Sequence, residues 1–222
     1  LSSALAEFSF EGTIKYLEDF VARIDTPVLS RLYTALVGHP VSDIPDLRQF
    51  IGRARRLKPS NAARVSFDPR SILLEFPPGG STLRIVRHRM DWEIASMALV
   101  CGQLSPFFSL VERLDLVVTY SPFKLRGINS TEYSLFLECF RPFTAIQDLY
   151  VSKSLVPLIA PALHELIGER ATEVLPKLRD LSLGGSVIPE SVQEAIQPFI
   201  DARRLSGRPI AIHCWEEEGA DL

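Results

Sequence analysis

Leu178-Arg179-Asp180-Leu181-Ser182-Leu183 reads Leu-x-x-Leu-x-Leu, and its second half alternates apolar with polar residues. Alternation of that kind marks a strand with one buried face. Variants precede it: LAEFSF from Leu5, LSRLYT from Leu29, VERLDL from Val111 and IQDLYV from Ile146. The hexamers at residues 111, 146 and 178 stand 35 and 32 residues apart, and Ile210 lies another 32 beyond. Intervals of that length leave room for one helix between successive strands.

Helical pattern fills most of the gaps. Ile14, Leu17, Val21 and Ile24 share one helical face after Thr13 as N-cap. A second helix opens at Ser42-Asp43-Ile44-Pro45, with Leu47, Ile51 and Ala54 inward and Arg53, Arg55 and Arg56 near its end, where cations offset the C-terminal dipole. From Asp91 a helix points Trp92, Ala95, Leu99 and Leu104 inward, and Ser105-Pro106 ends it. Thr131 to Phe140 gathers Tyr133, Phe136, Leu137 and Phe140 on one face. Leu155 to Ile167 is helical, with Pro157 in the opening turn and Pro161 expected to kink it. The last helix runs from Glu190 to Leu205 and ends on Gly207, before a closing strand from Ile210 to Trp215.

The middle departs from this rhythm. AARVSF from Ala62, SILLEF from Ser71 and TLRIVRH from Thr82 are three short β-type runs split by Pro and Gly. The expectation is that SILLEF replaces the helix of one repeat as an extended convex segment, with an independent antiparallel hairpin as the alternative. Taken together, the pattern predicts one α/β domain over residues 1–222: a leucine-rich-repeat-like solenoid. Its sheet is mainly parallel and concave, its helices convex and its repeats irregular, with a β-rich section at 62–90 and a frayed acidic tail at 216–222. Thr13, Thr119, Ser154 and Ser186 follow the hexamers at a common position, where a hydroxyl can bond neighbouring backbone or cap the next helix.

Composition narrows the function. Apolar residues make up 46% of the 222 and charged ones 23%, which excludes wholesale disorder. A net charge of −3 argues against an electrostatic grip on nucleic acid. The longest nearly apolar run, Leu155 to Leu163, falls far short of the ~20 residues that span a bilayer. Cys101, Cys139 and Cys214 are odd in number and in no metal spacing, so reduced thiols in a cytoplasmic or nuclear setting are expected. No basic region leads into an apolar core at the start, and Leu1 is no initiator. The chain is therefore expected to lack a signal peptide and to begin within repeat material.

Catalytic patterns are weak. His164-Glu165 opens like a zinc-protease helix, but Gly168 stands where the second histidine belongs. His39, His88 and His213 have no partner at ligand spacing, and the Gly79-Gly80 pair lacks a phosphate-loop context. Asn129-Ser130-Thr131 matches a glycosylation sequon of little weight. Asp148 and Asp180 recur at one repeat position and would stand ~5 Å apart on neighbouring strands, but a solvated acidic stripe explains them better than acid–base chemistry. No catalytic residue, cofactor or metal is assigned. An α/β enzyme whose site assembles only in three dimensions remains the alternative to a binding scaffold.

The phrases from Leu158 to Trp215 (LIAPALHELIGERATEVLPKLRDLSLGG and VQEAIQPFIDARRLSGRPIAIHCWE), with YLEDFVARIDTPVLSRL, DIPDLRQFIGR, DWEIASMALVCGQL and RPFTAIQDLYVSKSL in order before them, resemble a family of F-box-like, leucine-rich-repeat-related fungal proteins. That resemblance implies the substrate-selecting region of a cullin–RING ubiquitin ligase receptor. Its client is unidentified, and the ligase adaptor would be reached only through an N-terminal F-box that these residues do not contain. Neither nucleic acid nor membrane is expected as a partner. In such repeats the concave residues form the binding surface: Arg31 and Tyr33, Arg113 and Asp115, Asp148 and Tyr150, Asp180, and His213 and Trp215. Glu7, Ser9, Ser152 and Ser182 fall on the same face by alternation.

Overall fold

The computed structural model describes residues 6–24, 28–37, 45–54, 60–68, 71–77, 81–86, 98, 101–119 and 130–216. The strands are β1 (Glu7–Gly12), β2 (Arg31–Val37), β3 (Ala62–Asp68), β4 (Ser71–Glu75), β5 (Thr82–Val86), β6 (Arg113–Val118), β7 (Asp148–Val151), β8 (Asp180–Gly184) and β9 (Ala211–Trp215). They form one nine-stranded sheet in the order β1-β2-β5-β4-β3-β6-β7-β8-β9. The sheet does not close, so β1 and β9 are its edges. Every pair is parallel except β3–β4 and β4–β5. Helices α1 (Ile14–Val21), α2 (Pro45–Arg53), α3 (Ser105–Phe108), α4 (Ser130–Phe140), α5 (Val156–His164) and α6 (Glu190–Leu205) lie between strands, with a 3-10 turn at Gly168–Thr172.

Alternation decides which strand residues enter the core. Leu32, Leu114, Leu116, Leu149, Val151, Leu181 and Leu183 join one buried cluster with Leu17, Phe50, Phe108, Phe136, Phe140, Ile159, Leu163, Ile196 and Phe199 of the helices. Removing one such leucine or phenylalanine side chain from water contributes roughly 1.5–3 kcal/mol. The expected inward residues Leu17, Val21, Leu47, Ile51, Ala54, Leu104, Phe136, Leu137 and Phe140 are all buried. Gly207 adopts φ +73 just after α6, the left-handed cap that glycine tolerates best. At the other end of the sheet Glu18 of α1 caps α2: its carboxylate oxygens accept the Asp46 and Leu47 amides at 2.8 and 2.9 Å. Those amides are orphans of the first helical turn and carry its positive dipole end.

One backbone device recurs at the strand entrances. Ala6 O accepts the amides of Ser30 and Arg31, Asn61 O those of Glu112 and Arg113, Glu112 O those of Gln147 and Asp148, and Gln147 O those of Arg179 and Asp180. Each acceptor is the second residue of its hexamer, and each donor pair is the second and third of the next. Asn61 therefore marks Ser60 to Val65 as a further member of the set. Its Ser60 and Ala63 replace the large apolar residues that made the other hexamers recognisable.

Several expectations are corrected. SILLEF is neither a convex segment nor part of an independent hairpin: β4 runs antiparallel between β3 and β5 inside the continuous sheet. Its Ile72 and Leu74 supply the buried face that the core needs there. Ser105-Pro106 follows the helical residues 101–103, which stop before it as expected, and it also opens the short helix α3, where proline suits a first turn whose amides have no acceptor. Thr13 occupies the N-cap position of α1 but makes no side-chain capping bond. Of the hydroxyls after the hexamers, Thr119 donates to Phe67 O at 3.3 Å, while Ser154 and Ser186 are exposed. Trp92, Ala95, Leu99, Arg55, Arg56, His39, His88 and Asn129 lie outside the described residues, as do residues 217–222 of the tail.

Cys101 and Cys139 are buried and Cys214 is exposed. Loss of solvation pushes the Cys101 thiol up from 9.0 to about 12. It also raises Cys139, with the neighbouring Cys101 adding to the effect. A thiol reagent at neutral pH is expected to modify Cys214 alone until the protein unfolds, since the thiolate is the reactive form. Burying the two thiols favours the protonated folded state. That contribution is complete below about 9.0 and is lost as pH rises towards about 12, so unfolding should grow easier over that alkaline window. Rapid labelling of two or three thiols in the native protein would contradict this.

Candidate protein-binding face

The side chains opposite the core line up across the sheet. Register places Ser9, Tyr33, Thr82, Glu75, Arg64, Asp115, Tyr150, Ser182 and His213 in one row that crosses all nine strands. A second row joins Arg113, Asp148, Asp180 and Ala211 across β6 to β9.

The expected site residues fall into two groups on this face. Arg31 and Tyr33 sit on β2, where Arg31 Nη1 pairs with Glu7 Oε1 at 2.9 Å and Tyr33 is exposed. The other seven lie on β6 to β9. Side-by-side placement of the two groups is corrected: β5, β4 and β3 intervene, a separation of ~19 Å at the usual strand spacing. The interposed strands bring Thr82, Arg84, Glu75 and Arg64 to the face, none of which was expected there.

Within the second group Asp115 is the hub. Its Oδ1 accepts from Arg113 Nε at 2.9 Å, and its Oδ2 pairs with Arg64 Nη2 at 3.5 Å. The Asp115 hydrogen bond raises the Arg113 pKa from its ordinary value, partly offset by burial. The Arg113 guanidinium lies 4.2 Å from the centroid of the Tyr150 ring, a cation–π contact. Tyr150 in turn meets Trp215 edge to face, with centroids 6.1 Å apart and planes at 82°. Trp215 Nε1 donates to Val151 O at 3.3 Å, so its indole reaches back over β8 to the backbone of β7.

Gly184 lets β8 lie close against the turn that follows β7. Gly184 pairs with Trp215 in register, and a Cβ there would overlap the backbone nitrogen of Lys153 and stand 3.0 Å from the Ser152 carbonyl carbon. Ser152, expected on the open face, is buried instead: its hydroxyl accepts the Val118 amide at 3.2 Å, and its carbonyl accepts those of Leu155 and Val156. A polar residue just past the strand serves the turn before it serves solvent. Ser182 keeps its place in the row but is buried between its neighbours.

Asp148 and Asp180 are register partners, and His213 Nε2 stands 3.0 Å from Asp180 Oδ1. Ser182 lies beside His213, so serine, histidine and aspartate types meet on two strands. Nucleophilic catalysis also needs free donors for the developing oxyanion. Here β8 pairs on both sides, so the amides around Ser182 belong to the sheet ladder. Among the described residues no group of three or more His, Cys, Asp or Glu gathers to hold a metal ion, and no helix is long and apolar enough to cross a membrane. Comparisons with protein-family models, with curated proteins and with solved structures find no match for this chain.

Proposed function

We propose that the chain is a non-enzymatic protein-interaction scaffold of leucine-rich-repeat-like build, in which the open sheet face holds a client protein. The observation that carries this reading is the set of aromatic and charged side chains lined up by register across a mainly parallel sheet. Tyrosine, tryptophan and arginine often dominate protein interfaces, the two aromatics because they bury much area at little entropic cost and arginine because its planar fork makes several hydrogen bonds. The recurrent bifurcated bonds at the strand entrances support the repeat reading, since equivalent positions of successive units meet the same partners.

The resemblance to F-box-like proteins extends the proposal to the substrate-recognition region of a cullin–RING ligase receptor acting in the cytoplasm or nucleus. Affinity capture of the full-length protein from cells tests it. The expected result is a ligase adaptor together with one reproducible client. Capture of a client with no ligase subunit would remove the ligase part and leave the scaffold. Absence of any stoichiometric protein partner would overturn both.

A further inference from the structure

The sheet ends differently at its two edges. β1 carries Glu7 and Glu11, charges of the kind that keep a second strand from adding to an edge. β9 reads Ala-Ile-His-Cys-Trp, with no Lys, Arg, Asp, Glu or Pro. Its two large side chains on the open face lean inward over β8: His213 Nε2 stands 3.0 Å from Asp180 Oδ1, and Trp215 Nε1 reaches Val151 O. Neither shields the outer edge, and among the described residues no strand lies beyond β9.

Backbone direction fixes what that edge offers. The Ala211 amide donates to Arg179 O at 2.7 Å, and Trp215 O accepts the Gly185 amide at 2.9 Å, so both residues turn their backbone groups toward β8. The N–H and C=O of one strand residue point to the same side, and successive residues alternate sides. Those of Ile212 and Cys214 therefore point out from the edge. Their side chains are uncovered as well. The register partners Leu181 and Leu183 are 0% and 2% exposed, whereas Ile212 is half-buried and Cys214 exposed.

We propose that β9 pairs antiparallel with β9 of a second copy of this chain, about a two-fold axis at His213, and so joins two sheets into one. A two-fold contact needs a patch that complements itself. Centring on His213 is the register that pairs every outward group of the strand: Ile212 of each copy exchanges both N–H···O bonds with Cys214 of the other. It also sets Ala211 against Trp215, small against large, and lays Ile212 beside Cys214 of the other copy over the uncovered end of the core. A head-to-tail contact would instead place this uncharged edge against Glu7 and Glu11 of β1, and would grow without closing. Pairing at the edge leaves the open sheet face clear, so the dimer does not depend on what that face binds.

Sedimentation of the purified chain at rising concentration tests the contact. One strand pair is a small interface, so a reversible dimer with micromolar dissociation is expected, at twice the mass of the 24.8 kDa chain. Cys214→Lys puts a charge on the exposed edge and should return the protein to the monomer mass, with a melting temperature equal to the parent's at high dilution. Tyr16→Ser, at an exposed site on α1 by the opposite edge, should leave the dimer intact. Ile212→Cys reports the register: it would bring cysteines 212 and 214 of opposite strands to ~5.5 Å between Cα atoms, so mild oxidation should link the copies. The two Cys214 of the parent dimer would stand ~8 Å apart and should not link. Dimer formation should also slow thiol labelling of Cys214, which is exposed in the single chain. A monomer at every concentration overturns the proposal, as does a dimer that survives Cys214→Lys or is lost with Tyr16→Ser. Failure of Ile212→Cys to link, ready linking of the parent, or steady growth to larger species overturns it equally.

Discussion

Arg203→Ala is expected to destabilise the fold by about 2–4 kcal/mol, because it empties a buried volume and strips donors from buried carbonyls. Arg203 is 1% exposed, near the C-terminus of α6. Its Nη2 donates to Leu178 O at 2.7 Å and its Nη1 to Ala171 O at 3.4 Å, while Nε has no partner. Burial lowers the pKa of this guanidinium, and the nearby Arg208 adds to the shift. Arg208 donates to Pro176 O at 3.1 Å, and Leu175 in the same segment holds a positive φ of 52. The end of α6 thus grips residues 171–178, the stretch that delivers β8 into the sheet. Arg203→Met keeps most of the volume and removes the buried charge, so it should cost less than alanine. Urea unfolding of the two variants measures the difference. A methionine variant as damaged as alanine would show that the hydrogen bonds, and not the packing, supply the grip.

Leu149→Ala and Leu181→Ala should each cost ~2–5 kcal/mol, the range for emptying a closed leucine site. Both side chains are 0% exposed, and the two residues are direct partners across β7 and β8. Because they share one cavity, the double variant should not show the sum of the single losses. Unfolding midpoints for the three variants decide this. Losses below about 1 kcal/mol for either single change, the ordinary outcome at a surface position, would mean that the strand interiors are not the core described above.

How much of this was legible in sequence depends on the range of the interaction. Period-two alternation is local, so β6, β7 and β8 and their inward residues could be read from the patterns around Leu114, Leu149 and Leu181. The period also assigned Ala62–Phe67, Ser71–Phe76 and Thr82–His88 to β-structure. It carries no information on which strand lies beside which. The interposition of β5, β4 and β3 between β2 and β6, and hence the separation of Tyr33 from Tyr150, was therefore out of reach. Arg64 and Glu75 joined the face for the same reason. Burial of Ser152 follows from its bond to Val118, 34 residues away, and Arg203 likewise works through carbonyls 25 and 32 residues distant. Composition at such positions points to solvent, and only the tertiary fold overrides it.

The central claim is that the open sheet face holds a protein partner. Its most direct test is client capture by full-length protein carrying Tyr33→Ala, Asp148→Ala and Tyr150→Ala together, beside a variant changed only at exposed positions of the helices. These three side chains point away from the core, so melting temperatures should stay close to the parent. The account predicts that the sheet-face variant loses its client while the helix variant keeps it. Retention of the client by the sheet-face variant, with loss in the helix variant, would contradict it and move the site to the other side of the sheet.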